Sequence, residues 1–395
     1  MTLAVLATHP IQYQAPIYRV LGDRWRIPVT AVYGSDFSLA GYRDREFGTT
    51  VSWDVDLAAG YDAVFLSRAT AGSPGRPDAV SWRGMAAALR RLAPRALLLT
   101  GYSPRFHQVA CLHALRSGYP VLFRGETTDH ATRRGRLKSL ARDVVLRWLY
   151  RRCTRLLYVG RRSYAHFRRL GCPEDKLVFS PYCVDTSPFQ ADETARDQLR
   201  HRQREAAGVP EHALLLLFSG KLVSRKGPEL LVDAVRQLPS AVRDRIVLGF
   251  LGDGELRGAL ERSAGASPVV PARLFGFHNQ REVSSFYHAA DLLVLPSREG
   301  ESWGLVVNDA SHHGLPAVVS DAVGSAPDLV IPGQTGETFP AGSARHLAAA
   351  LERSLPLVGR ADVRARCRAV AKDYGVEAAA HGIARAFFAA TGRGR

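Results

Sequence analysis

Short apolar runs separated by amphipathic stretches recur along this chain, and that alternation limits the folds open to it. Leu3–Ala7, Ile27–Tyr33, Ala96–Thr100, Val121–Phe123 and Leu156–Val159 mark the first half. Leu214–Phe218, Leu248–Leu251, Leu292–Leu295 and Ala317–Val319 mark the second. Runs this short that are apolar on both faces suit strands buried between helix layers, so the pattern predicts an α/β protein with parallel sheets. At 395 residues the chain exceeds one core, given roughly 100–200 residues per domain. A hydrophobic content of 46% excludes a disordered chain. The polar segment Thr186–Ala206, with Pro188, reads as an interdomain linker.

The most informative stretch is Ser297-Arg-Glu-Gly-Glu301-Ser302-Trp303-Gly304-Leu305-Val-Val-Asn-Asp309-Ala-Ser-His-His-Gly314. The apolar run Asp291–Leu295 enters it, a helix leaves at about Gly304, and Gly314 is a natural C-cap. A strand end, a glycine loop and a helix start make an anion-binding geometry: unpaired N–H groups point outward and the dipole favours negative charge. Gly304, lacking Cβ, would let a ligand approach the backbone. Glu301 and Asp309 bracket the helix start and could hold hydroxyls on either side of a diphosphate, which describes a sugar nucleotide. A second segment, Leu214–Ser219 then Gly220-Lys221-Leu-Val-Ser-Arg-Lys226-Gly227-Pro228, repeats the strand–loop–helix pattern with two ammonium groups at the sheet edge, where open α/β sheets bind ligands.

These two segments resemble the signature of family 4 glycosyltransferases, retaining enzymes of the GT-B fold. Glu301, seven residues and Asp309 are similar to that family's paired acids within E-S-F-G-L-V-V-x-E-A, with Asp309 one methylene short of the usual Glu. Gly220-Lys221 through Lys226-Gly227 is similar to G-R-L-x-x-x-K-G, with Lys221 in place of Arg. Leu248–Glu255, the Arg273–Phe277 run containing Phe275, Gly276 and Phe277, and Gly324–Val330 followed by Gly333 and Gly336 fall in family order. The resemblance implies two Rossmann-like domains with parallel sheets facing across a cleft. It assigns residues 1–190 to the acceptor, 191–375 to the donor, and 376–395 to a helix returning to the N-domain. It implies that Lys221, Lys226 and the N–H groups of Trp303 and Gly304 stabilise the departing diphosphate without a metal. Glu301 would grip the donor sugar and Asp309 the ribose. Gly220, Phe275, Gly276, Phe277, Ser302 and Leu305 would complete the nucleotide-sugar site, and no cofactor is implied.

In the N-terminal half, His9-Pro-Ile-Gln12-Tyr13, Phe47-Gly48 followed by Val51-Ser-Trp-Asp54, Gly60-Tyr61 and Arg124-Gly-Glu126 resemble the polysaccharide-building branch of that family. His9, Gln12, Tyr13, Tyr102, Arg124 and Glu126 are the acceptor-side candidates. Many relatives carry a catalytic-site His where this chain has Glu126, so the role falls to Glu126, Asp129 or His130. The bland alternatives are a loop-capping His9 and an Arg124–Glu126 ion pair. Asp54-Val55-Asp56 matches the metal-binding D-x-D of the other glycosyltransferase fold but lies in the wrong half for that role.

Charge is unevenly placed. Residues 1–190 hold 28 Lys and Arg against 14 Asp and Glu, a net of +14, whereas the remainder nets +2. Arg136–Cys153 is helical by pattern, with Leu137, Leu140, Ala141, Val144, Val145, Trp148 and Leu149 on one side and Arg142, Arg147 and Arg151 on the other. Such a helix suits an anionic membrane surface, and equally a core-packing helix with a solvated arginine face. No nucleic-acid motif accompanies the charge, so nucleic acid is not an expected partner. Five cysteines without C-x-x-C spacing, no leader-like N-terminus and no spanning run predict a cytoplasmic protein, peripheral on the inner face of the plasma membrane if the helix binds lipid. The reading is transfer of a sugar, with retention, from a nucleoside-diphosphate donor to a sugar or lipid-linked acceptor. The alternatives are a sugar-nucleotide epimerase of the same fold and a non-catalytic basic protein on membrane or RNA.

Overall fold

The computed structural model describes every residue except 1, 40, 45, 47–49, 71, 73–74, 131–134, 266–269 and 393–395. The Phe47-Gly48 pair therefore lies outside the described residues. The first nine strands are β1 (Leu3–Ala7), β2 (Val29–Tyr33), β3 (Tyr42–Arg43), β4 (Thr50–Val51), β5 (Asp62–Phe65), β6 (Ala96–Leu99), β7 (Val121–Arg124), β8 (Arg155–Tyr158) and β9 (Leu177–Phe179). β3 and β4 form an antiparallel hairpin. The other seven form a parallel sheet in the order β5-β2-β1-β6-β7-β8-β9. A second parallel sheet, β12-β11-β10-β13-β14-β15, is built from β10 (Leu214–Ser219), β11 (Ile246–Leu251), β12 (Ala272–Gly276), β13 (Leu292–Leu295), β14 (Ala317–Ser320) and β15 (Gly336–Phe339).

Each sheet runs outward from its first strand in one direction, then returns to that strand's other side and continues. That is the doubly wound arrangement, and it opens a crevice at the carboxyl ends where the order reverses. The N-terminal crevice lies between β1 and β6, the C-terminal one between β10 and β13. Both sheets are covered on two faces, which explains why their strands read as continuous apolar runs: β1, β6, β10 and β13 are buried almost throughout.

The helix Val376–Thr391 crosses back to the first sheet and buries Ala379, Ala380, Ile383, Ala384 and Phe387 against Leu3, Val5 and Leu157. The polar segment read as a linker contains a helix instead, Glu193–Ala206, capped by Asp192, whose carboxylate accepts from Ala195 N–H. Arg204 on that helix is fully buried, donating to Asp291 and to the carbonyls of Ala289, Pro210 and Ala213. A charge satisfied by partners far along the chain is invisible to composition, so the segment looks like a linker until it is folded.

The basic helix spans Arg136–Arg152. It buries Leu146, Leu149 and Tyr150, while Leu137, Leu140, Val144, Val145 and Trp148 face outward. The core-packing alternative therefore fails for the apolar stripe. Arg142 does not belong to the solvated face either: it is turned inward onto Tyr102 and Asp129.

Candidate active site

In the C-terminal half the crevice between β10 and β13 gathers the predicted donor residues. Lys221 follows the end of β10. Gly227, at φ +64°, adopts the left-handed turn that lets Pro228 open the next helix. Lys226 is thereby placed against Glu301, with which it forms a direct ion pair, both side chains nearly buried. Ser297 also donates to Glu301, at 3.1 Å. The helix Leu305–His312 starts at Gly304, whose φ of +88° is left-handed. A Cβ there would lie 2.9 Å from Val323 and 3.1 Å from Leu295. The glycine is thus required by the chain's own packing as well as by its turn.

Asp309, one turn into that helix, is enclosed, with the Tyr287 hydroxyl 3.4 Å away and close to Ser219 as well. Burial pushes its carboxyl up to about 7, against the opposing hydrogen bond from Tyr287. Trp303 contributes no side chain to the cleft. Its indole stacks on Tyr182 and donates to Asn308 at 2.7 Å. Gly220 (φ +138°) lies at the crevice, while Phe275 packs on Phe286 and Gly276 accepts from Gly252 N–H, holding the adjoining loops together. Leu305 and Phe277 are partly exposed.

The facing crevice of the N-terminal sheet is a cavity of about 340 Å³, lined by Thr8, Gln14, Tyr102, His107, Glu126 and Arg142 among others. From that cavity's lining, Glu126 reaches the C-terminal half. It accepts from Ser302 at 3.1 Å and from Tyr13 at 3.3 Å. Burial raises its carboxyl above the ordinary range despite those bonds and the nearby Arg124. The other two candidates for the catalytic position have partners of their own. Asp129 is held at about 2: burial raises it, and hydrogen bonds from Arg169 and His166 more than offset that. His130 Nε2 donates to the Asp321 carbonyl across the domain boundary, at 2.8 Å.

Arg124 forms no salt bridge with Glu126; it is buried, donating to the Ser180 and Pro181 carbonyls. His9 packs on Phe37 with Nδ1 2.9 Å from Thr8, and burial, aided by His107, lowers it to about 4. Its ring thus packs within the first half and does not line the cavity. Gln12 is partly buried in the loop before the first helix, outside the cavity lining.

Sequence reasoning missed an acidic strap. Asp44 and Glu46, between β3 and β4, reach across the cleft to Lys221 at 2.9–3.0 Å, and Glu46 also pairs with Arg225. Burial raises Glu46, but Arg225 and Lys221 together hold it at about 2. Further along the strap, Asp54 accepts from Arg281 N–H and the Ser52 carbonyl accepts from Asn279. Asp56 caps the Ala58 and Ala59 N–H groups. Asp54 and Asp56 thus each hold backbone N–H groups of neighbouring loops. The signal available in the sequence is the flanking motif, but nothing local links Asp44 to a lysine 177 positions away.

Residues 200–373 match the family described as Glycosyl transferases group 1. Among curated proteins, the D-inositol 3-phosphate glycosyltransferase of Corynebacterium aurimucosum is 33% identical over 191 residues, 46% of this chain and 44% of that protein. The GDP-mannose-dependent alpha-(1-6)-phosphatidylinositol monomannoside mannosyltransferase of Mycolicibacterium smegmatis is 31% identical over 186 residues, 45% of this chain and 47% of that one. This chain thus spans less than half the length of each of these relatives. Among solved structures, a glycosyltransferase from Rickettsia africae superposes with TM-score 0.69 at 12% identity, covering 98% of both chains. Anabaena Alr3699/HepE in complex with UDP-glucose gives 0.67 at 15%, again 98% of both. The fold is GT-B. At these identities the superpositions speak to architecture, and the family match lies within residues 200–373.

Proposed function

We propose that this protein is a retaining glycosyltransferase that moves a sugar from a nucleoside-diphosphate sugar to an acceptor held in the N-terminal crevice. The observation that carries the reading is the Lys226–Glu301 pair at the reversal point of the second sheet, facing Glu126 at that of the first. In this reading the anomeric carbon–oxygen bond of the donor breaks, its electron pair leaves with the diphosphate, and the acceptor hydroxyl oxygen bonds the anomeric carbon on that same face while its proton passes to Glu126. Lys226 and Lys221 meet the growing negative charge, where cations already fixed in place act most strongly. This is why we propose that no metal ion is needed. Glu301, released from Lys226 as the diphosphate takes its place, holds donor-sugar hydroxyls, and Asp309 with Tyr287 receives the ribose. Glu126 stands where positive charge builds on the sugar and where the acceptor hydroxyl gives up its proton. Burial raises that carboxyl, which makes its carboxylate the stronger base for that proton.

The strap has a direct consequence: the diphosphate must displace Asp44 and Glu46 from Lys221. Donor and strap compete for one charge. The reading is tested by incubating the protein with UDP-, GDP-, ADP- and dTDP-linked sugars and measuring nucleotide release with EDTA present. We expect release from donors of one base class, undiminished by chelation. Absence of release from every donor, or release only after Mn²⁺ or Mg²⁺ is restored, contradicts the reading or its metal-free form respectively.

A further inference from the structure

The helix Arg136–Arg152 carries an apolar face that nothing in the described structure covers. Leu137 is 83% exposed, Leu140 63%, Val144 64%, Val145 61% and Trp148 47%. At 100° per residue these side chains share an arc of about 140°, centred opposite the buried Leu146, which Leu149 and Tyr150 flank. Exposed basic residues edge the arc on both sides, Arg136 and Arg147 on one and Lys138 on the other, with Arg151 and Arg152 just within its two ends. Arg152 lies over the Trp148 ring, its guanidinium carbon 4.2 Å from the centroid. The helix's one acid, Asp143, is turned inward onto Arg169. Five large apolar side chains on one surface helix exceed the scattered exposure normal for a soluble face.

We infer that this face is an interfacial anchor that lays the N-terminal domain on an anionic lipid bilayer. A helix with an apolar centre and cationic edges fits the headgroup boundary: the apolar side chains enter the acyl region while the arginines and the lysine stay among the phosphates. A protein partner with a matching apolar groove would also cover the stripe, but it would need a dense row of acids on both rims, which anionic headgroups supply everywhere. The excess charge of this half, net +14 over residues 1–190, favours the same surface. No described helix is long and apolar enough to cross a membrane, so the attachment is to the surface.

The placement also bears on the acceptor. Arg142, on the inner side of this helix, lines the N-terminal cavity and donates to the Tyr102 hydroxyl at 3.1 Å. The cavity therefore lies within about one helix diameter, 10–12 Å, of the apolar face. That distance suits an amphiphilic acceptor whose polar end enters the cavity while its lipid remains in the bilayer. This last step rests on the transfer reading; the anchoring itself does not.

The test is co-sedimentation with phosphatidylcholine vesicles and with mixed phosphatidylcholine–phosphatidylglycerol vesicles. We expect binding at least tenfold stronger to the mixed vesicles, weakening as salt shortens the screening length from about 10 Å at 0.1 M to about 3 Å at 1 M. The variant Leu140→Asp with Val144→Asp, and separately Arg147→Glu with Arg151→Glu, should each lose that binding. Far-UV circular dichroism and the thermal shift on adding nucleoside diphosphates should stay unchanged, which separates loss of anchoring from loss of fold or of the donor site. Equal binding to both vesicle types, binding to neither, or binding that survives Leu140→Asp with Val144→Asp overturns the inference. So does a dimer in size-exclusion chromatography that the same apolar variant dissociates, since the face would then belong to a second copy.

Discussion

Glu126 and Asp309 are two carboxyls to which we assign different tasks because their surroundings differ. Glu126 sits where the halves meet, with Ser302 and Tyr13 as donors, and its proposed work is done in the transition state. Glu126→Gln keeps the shape and removes the charge. We expect kcat to fall by two or more orders of magnitude, about 2.7 kcal/mol or more of barrier, with KM for the donor nearly unchanged. Equal effects on both constants would make Glu126 a binding group. Asp309 couples stability to pH. Its carboxyl is raised from 3.8 to about 7 by burial, so between about pH 4 and 7 the unfolded chain has lost a proton that the folded chain keeps. Rising pH therefore favours unfolding across that window, and the penalty is constant above it. The substitution Asp309→Asn replaces the carboxyl with an amide that does not titrate. Stability of that variant relative to the natural protein should therefore rise from pH 4 to 7 and then level, as read by denaturant unfolding. A flat difference would show that the carboxyl is not held up. The paired acids and lysines were legible in the sequence because their spacing is fixed by one loop and one helical turn. The inward turn of Trp303 and Arg124 was not, because it depends on Tyr182, Asn308 and Ser180 from distant segments.

At the level of elements, strand runs and the glycine-opened helices could be read directly, since each is decided by local periodicity and turn chemistry. Elements whose partners lie in the other half could not. The strap between β3 and β4 is the clearest case: Asp44 and Glu46 look like solvated loop acids until the fold places them on Lys221 and Arg225. Because they occupy the proposed diphosphate position, Asp44→Asn with Glu46→Gln should tighten nucleoside-diphosphate binding by about tenfold, or 1.4 kcal/mol, measured by calorimetry. Weaker binding would mean that the strap supports the donor rather than competing with it. The basic helix went the other way. Its pattern allowed a core-packing face and a lipid-facing one equally, and the exposure of Leu137, Leu140 and Val144 decides against the core.

For the whole molecule, two doubly wound sheets bring their reversal points face to face, so that Glu126 and Ser302, 176 positions apart, share one cleft. The alternation of strands and helices made the sheets legible; their mutual placement rests on contacts such as His130 with Asp321 and Arg161 with Asp328, which carry no sequence period. The central claim is that the C-terminal crevice holds a nucleoside diphosphate through Lys226. Its most direct test is a thermal shift with UDP, GDP, ADP and dTDP on the natural protein and on Lys226→Ala. A ligand at 100 times its dissociation constant adds about 2.7 kcal/mol of stability, a shift readily seen. The account predicts that one nucleotide stabilises the natural protein and that Lys226→Ala, equally folded, loses most of that shift. No stabilisation by any of the four, or a full shift retained without Lys226, would contradict it.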